Sequence, residues 1–205
     1  MIDLYVANTG NGQRAAIILE ECGLPYTVHK LNLAAGDQHK PEFLRINPAG
    51  AIPAIMDRDG PGGRPVAVSQ SGAIVLYAAE KSGKFLPSDL EQRAEVLRWF
   101  MHACTDCAVT SGAIFALGNF APEKSPANVE FFENRLVRFL RVIDGVLGDR
   151  NSIAADVSIA DFALYPVYVA RKAVVERAGN FANLTRWATA IGARPAVQRG
   201  LAACG

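Results

Sequence analysis

The order of elements read from this 205-residue chain predicts an α/β unit of βαβ-ββα order followed by an all-helical unit. Two observations carry that reading. Strand-like runs, rich in β-branched residues and punctuated by glycine and proline, stop before Phe85-Leu86-Pro87-Ser88. Beyond that short linker every apolar pattern has helical spacing. The domains are accordingly predicted as 1–83 and 88–205, each large enough for its own core.

Residues 2–7 alternate and are β-rich, Asn8-Thr9-Gly10-Asn11-Gly12 is a turn, and 13–22 carry apolar residues at helical spacing before Gly23-Leu24-Pro25 stops them. Residues 26–33 read as a second strand. The stretch 34–51 is polar and broken by Gly36, Pro41, Pro48 and Gly50, with room for one short helix over 42–46. A third strand spans 52–57, and Asp59-Gly60-Pro61-Gly62-Gly63 turns it into an antiparallel fourth over 64–68. A helix over 73–81 ends at Gly83. In the second half, helices are predicted over 91–117, 128–147, 158–175, 184–191 and 196–203, with Pro166 inside the third.

Composition sets limits. Half of the residues are hydrophobic and 20% are charged, so the chain can bury a core, removing about 70% of its unfolded surface from water. Net charge is +1, and of 21 Lys+Arg and 20 Asp+Glu eight of each precede Pro87. Neither part has the basic surplus that nucleic acid or anionic lipid selects. No apolar run approaches the roughly 20 residues of a membrane span. Four cysteines in a chain this long do not make a disulfide scaffold, and a reducing, cytoplasmic setting is the expectation.

Gly10-x-Gly12-x-x-Ala15 formally matches a dinucleotide-binding turn. Asn32 stands where that motif needs an acid for the ribose, and the helical second half leaves too few parallel strands. The βαβ-ββα order with Pro53 opening the third strand is instead the layout of a thioredoxin-like domain. A redox thioredoxin would carry C-x-x-C in its first turn. Here the four positions are Thr9-Gly10-Asn11-Gly12, with no thiol. A hydroxyl, an amide and the N–H groups of a helix N-terminus remain, a set suited to stabilise a thiolate supplied by a ligand.

Three motifs carry a family resemblance over the whole chain: Asn47-Pro48-x-x-x-Ile52-Pro53-Ala54, Gln70-Ser71-Gly72-Ala73-Ile74, and Ser158-Ile159-Ala160-Asp161. With them the sequence resembles the glutathione transferase superfamily. Ile2-Asp3-Leu4-Tyr5, Thr9-x-Asn11-Gly12 and Pro41-Glu42-Phe43-Leu44-Arg45-Ile46 look most like its bacterial nu-class, disulfide-bond-reductase-like members. The resemblance implies glutathione or glutathione disulfide as ligand, no metal, a homodimer, and a small disulfide or electrophile as second substrate. It also implies roles. Thr9 and Asn11 would contact the sulfur, with Tyr5 as the alternative hydroxyl. Ser71 and Gln70 would hold the γ-glutamyl end, Gln70 standing where the family more often has Glu. Ile52, ahead of Pro53, would pair with the cysteinyl peptide as an added strand. Gln38 and Lys40 would meet the glycine carboxylate. A conjugating transferase for apolar electrophiles and a non-catalytic binding module are the alternatives to a disulfide reductase with accompanying peroxidase activity.

Further candidates lie in the helical half. Cys104 and Cys107 are three apart on one predicted helix and on one face of it. A zinc site would need a second ligand pair, and none has ligand spacing. Asp106, and Arg135 on the next helix, are looser candidates for contacts across a subunit boundary. Ser158-x-x-Asp161 reads as a capping box, structural rather than chemical.

Overall fold

All residues from Met1 to Gly205 are described by a computed structural model. They form two compact units, Met1–Leu86 with Ala193–Gly205, and Pro87–Gly192.

In the first unit β1 (Ile2–Val6) lies between β2 (Tyr26–Lys30), parallel to it, and β3 (Ala54–Asp57), antiparallel. β4 (Val66–Ser69) closes the order β2-β1-β3-β4. Ile2, Leu4 and Val6 are buried, as the period of two requires of one covered face. That face is packed by α1 (Gly10–Cys22) and α3 (Ser71–Ser82), which also pack on each other. The short α2 (Pro41–Leu44) sends Phe43 to the ring of Tyr5 on the opposite face. This is the thioredoxin-like arrangement the element order predicts.

The register places the functional loops. Ala54 pairs with Tyr5 on one side and Ser69 on the other, and Lys30 pairs with Val6. The segments after β1, β2 and β4 and the segment before β3 therefore all emerge at one end of the sheet. The bond from Ile52 to Pro53, at that end, is cis.

In the second unit the helix predicted over 91–117 is interrupted. It comprises α4 (Leu90–Met101), a π-helical segment (His102–Cys107) and α5 (Ala108–Asn119). By length and hydropathy the run Leu90–Asn119 is long and apolar enough to cross a membrane, a correction to the expectation that no run approaches that size. Its inner residues Cys107, Thr110, Ser111 and Ile114 are buried within the unit, where it packs on α6 (Pro126–Leu147) and α7 (Ile159–Ala170). The helix expected over 158–175 divides at Arg171 into α7 and α8 (Lys172–Arg177). The Arg171 guanidinium there donates to the Ser111 hydroxyl at 2.9 Å and carbonyl at 2.7 Å. α9 (Ala182–Gly192) supplies Trp187 to the core.

The last helix, α10 (Pro195–Cys204), departs from the domain limit of 88–205. It packs against α1 in the first unit. Gly200 is the reason for the fit, since a Cβ there would lie 2.6 Å from the Ile17 Cα. Arg194 grips Glu21 with two 2.6 Å bonds, and Arg199 meets Glu20 at 2.6 Å. Sequence adjacency placed this helix with its neighbours, whereas its contacts belong to the other core.

Candidate active site at the starts of the first and third helices

Thr9 is extended, with φ −136°, and caps α1 by accepting a hydrogen bond from the Gly12 N–H at 3.1 Å. Gly12 must be glycine, because a Cβ would sit 2.3 Å from the Ala7 carbonyl oxygen. Capping uses the lone pairs of the Thr9 hydroxyl and leaves its hydrogen to donate. Asn11 is exposed in the first turn of the helix.

Beneath these two lies a residue that the sequence motifs did not single out. Arg14 is 2% exposed, and its Nη1 donates to Asn11 Oδ1 at 2.9 Å and to Ser71 Oγ at 2.8 Å. The Ser71 hydroxyl lies 3.4 Å from the same Asn11 oxygen. A polar triangle thus ties the first turn of α1 to the first residue of α3. A signal did exist: Arg14 is the one charged residue among the 13 of α1 ahead of Glu20, three positions from Asn11 and so on its face of the helix.

Neither α1 nor α3 carries an acid in its first turn. Two helix N-termini and a guanidinium therefore meet, three sources of positive potential suited to receive an anion. Gln70, just ahead of Ser71, is exposed and holds φ +71°, ψ 120°, a conformation that costs a non-glycine residue on the order of 1–3 kcal/mol and recurs at ligand clamps.

The other predicted residues fall as follows. Ile52 and Pro53 stand at the same end of the sheet, in a loop stapled by Asn47, whose side-chain amide donates to the Ala51 carbonyl at 2.5 Å and whose Oδ1 accepts from the Ala49 N–H at 3.2 Å. Gln38 lies in the segment following β2; its Oε1 is buried with no hydrogen-bond partner. Lys40 is exposed and paired with Asp37 at 2.7 Å. Tyr5 is not drawn into the cluster. Its ring stacks on His29 at 4.7 Å, and burial pushes its hydroxyl above the ordinary tyrosine value, so it stays a protonated phenol on the α2 face.

In the second unit Cys107 is buried and Cys104 half-buried, both in the π-helical segment and neither in a disulfide. Asp106 bonds His102 Nδ1 at 2.9 Å, while the exposed Arg135 guanidinium lies 5.4 Å from the centre of the Phe139 ring. The remaining cysteines are poor nucleophiles: burial raises the Cys22 thiol and pushes that of Cys204 up to about 11. No group of three or more His, Cys, Asp or Glu could hold a metal.

Residues 11–81 match the glutathione S-transferase N-terminal domain family. Over 97% of its length the chain is 34% identical to the disulfide-bond oxidoreductase YghU of Escherichia coli K12, covering 73% of that protein. The chain belongs to the glutathione transferase superfamily. Another such relative is the disulfide-bond oxidoreductase YfcG of the same organism, 38% identical over 81% of this chain and 78% of its own. A solved glutathione transferase of Pseudomonas putida, with one glutathione disulfide bound per subunit, superposes with a TM-score of 0.89 at 36% identity, covering 98% of this chain and 90% of that one. A Pseudomonas fluorescens family member with two glutathione molecules bound gives 0.90 at 37% identity, covering 98% and 92%.

Proposed function

We propose that this superfamily member is a glutathione-dependent disulfide oxidoreductase in which the reacting thiol belongs to glutathione and the protein supplies only donors. One observation carries the reading: the first turn presents a hydroxyl and an amide, without a thiol, above a helix N-terminus and a buried guanidinium. Because the Asn11 oxygen is occupied by Arg14, its NH₂ group is the part left to face a sulfur, and the Thr9 hydroxyl hydrogen is likewise available. Two donors aimed at one sulfur favour thiolate over thiol, lowering a thiol pKa from about 8.5 towards neutrality.

The chemistry then balances as follows. The glutathione thiolate attacks one sulfur of a disulfide, forming a mixed disulfide and expelling a thiolate that takes up a proton. A second glutathione thiolate attacks the glutathione sulfur of that mixed disulfide, giving glutathione disulfide and the second product thiol. The disulfide gains two electrons, and two glutathione molecules lose them. Ser71, with the N–H groups opening α3, takes the γ-glutamyl carboxylate, and Gln70 holds the same end of the ligand. The backbone of Ile52 pairs with the cysteinyl peptide next to Pro53. Gln38 and Lys40 meet the glycine end, with the Lys40 ammonium as the donor to its carboxylate.

A homodimer in the cytoplasm belongs to the same reading. Met101, Val109 and Phe115 are 46%, 64% and 52% exposed along the run Leu90–Asn119, and exposed apolar side chains of that size favour association. Asp106 and Arg135 then serve as contacts to a ligand of the neighbouring subunit. Sedimentation at micromolar concentration tests the assembly; a monomer there removes that part of the proposal.

The activity is tested with hydroxyethyl disulfide, glutathione and purified protein at neutral pH. Turnover above the uncatalysed rate is expected. If conjugation of an aromatic electrophile proceeds and disulfide reduction does not, the chain is a conjugating transferase. If glutathione binds and neither reaction proceeds, it is a binding module.

A further inference from the structure

We infer that Arg14 is a positioning residue that sets the donor polarity of both ends of the glutathione site. The inference rests on the glutathione reading above and concerns a buried residue joined to both Asn11 and Ser71.

Arg14 sits where a charge is costly. It is 2% exposed in the middle of a helix whose neighbours Ala15, Ala16, Ile17 and Ile18 are fully buried, and a buried guanidinium is tolerated only where its hydrogen bonds hold it. A single nitrogen, Nη1, spends its two N–H groups on Asn11 Oδ1 and Ser71 Oγ. A guanidinium can only donate. Asn11 is therefore bound to turn its carbonyl oxygen inward, which leaves the NH₂ as the face presented to the ligand. The opposite amide orientation would set a carbonyl oxygen against a thiolate and two donors against each other underneath.

The same logic acts on Ser71. With a lone pair of Oγ engaged by Nη1, its hydroxyl hydrogen is directed away from the guanidinium and serves as a donor, its one intramolecular acceptor being Asn11 Oδ1 at a long 3.4 Å. The sulfur end on α1 and the carboxylate end on α3 are separated by 60 residues of chain, and one buried cation fixes the hydrogen-bonding sense of both.

Arg14→Met tests this through the ultraviolet absorbance of the bound glutathione thiolate, titrated against pH, together with the KM for glutathione. Losing the fixed amide should leave about ten-fold less thiolate at neutral pH, the effect of raising the thiol pKa by one, and should raise KM. Arg14→Lys should restore most of both, because an ammonium also donates only. In a double-mutant cycle, Arg14→Met in an Asn11→Ala background should add little to the thiolate loss caused by Asn11→Ala alone. Should Arg14→Met not fold, Arg14→Leu, which likewise carries no donor, has the same expectation. A wild-type thiolate fraction and KM in the Met or Leu variant overturn the inference, as do fully additive losses in the cycle or a Lys variant no better than Met. A parent protein that forms no glutathione thiolate at all refutes the underlying reading instead, so the two failures are distinguishable.

Discussion

Two polar centres at helix N-termini, one in each unit, have opposite characters. At α7 the protein supplies its own anion. Asp161 is fully buried and accepts from the Ile153 N–H at 3.0 Å, the Ser158 N–H at 2.8 Å and the Trp187 indole at 2.7 Å, with the Ser158 hydroxyl at 3.3 Å. Burial pushes its carboxyl above the ordinary value against the pull of these donors. At α1 and α3 the centre is cationic, its helix starts lack acids, and Asn11 lies at the surface with an NH₂ group uncommitted. A polar network closed on itself holds the fold together; one whose remaining donors face solvent has donors left to offer a ligand.

The sharpest way to break the comparison is at Asp161. Asp161→Ala strands several buried donors at once and should cost on the order of 3 kcal/mol or more, read by chemical denaturation, with turnover per folded molecule unchanged. A loss of activity at full stability would erase the distinction between the two centres. Asn11→Ala should weigh the other way: glutathione-dependent turnover falls about ten-fold or more, as for a lost donor to developing charge, while stability falls by only about 1 kcal/mol, the share of one acceptor lost to Arg14 at an exposed position. A large stability loss with unaltered turnover would assign Asn11 to the turn. Ser158→Ala removes the hydroxyl of the capping box and should cost about 1 kcal/mol, again without touching chemistry; a change in KM for glutathione would contradict that.

The smallest effect concerns pH and lies in the open site's own unit. Asp3 is held below the ordinary carboxyl value chiefly by the hydrogen bond from His29, against its burial and with help from Arg58. A depressed carboxyl adds stability that is present above the unfolded value of about 3.9 and is lost as pH falls through the lower folded one. Asp3→Asn should thus be less stable than the parent at neutral pH and converge with it in acid. Parallel stability curves from neutral pH to strong acid would show that the Asp3 charge contributes nothing.

Much of the closed centre was legible, because its signal is local. Ser158 and Asp161 stand three apart, and spacing alone defines a capping box; the Ile153 N–H and the distant Trp187 indole could not be foreseen. The open centre was legible in part. Thr9 and Asn11 declare themselves by replacing a C-x-x-C, and Ser71 by its motif, yet Arg14 reads in sequence as one more helical cation. Its meaning comes from Ser71, 57 positions away. The surroundings of Tyr5 were hidden for the same reason, since its ring partners His29 and Phe43 come from other elements.

By itself the sequence determined the element order, the βαβ-ββα sheet with its turns, the helical second half and the thiol-free first turn, all of which depend on residues within a few positions of one another. Tertiary structure alone decided that α10 joins the first unit, that the long helix passes through a π-helical segment at 102–107, and that Arg14 bridges α1 and α3. Each of these turns on burial and on contacts between residues far apart in the chain, where close packing at Gly200 and the cost of an unsatisfied buried charge outweigh any local preference.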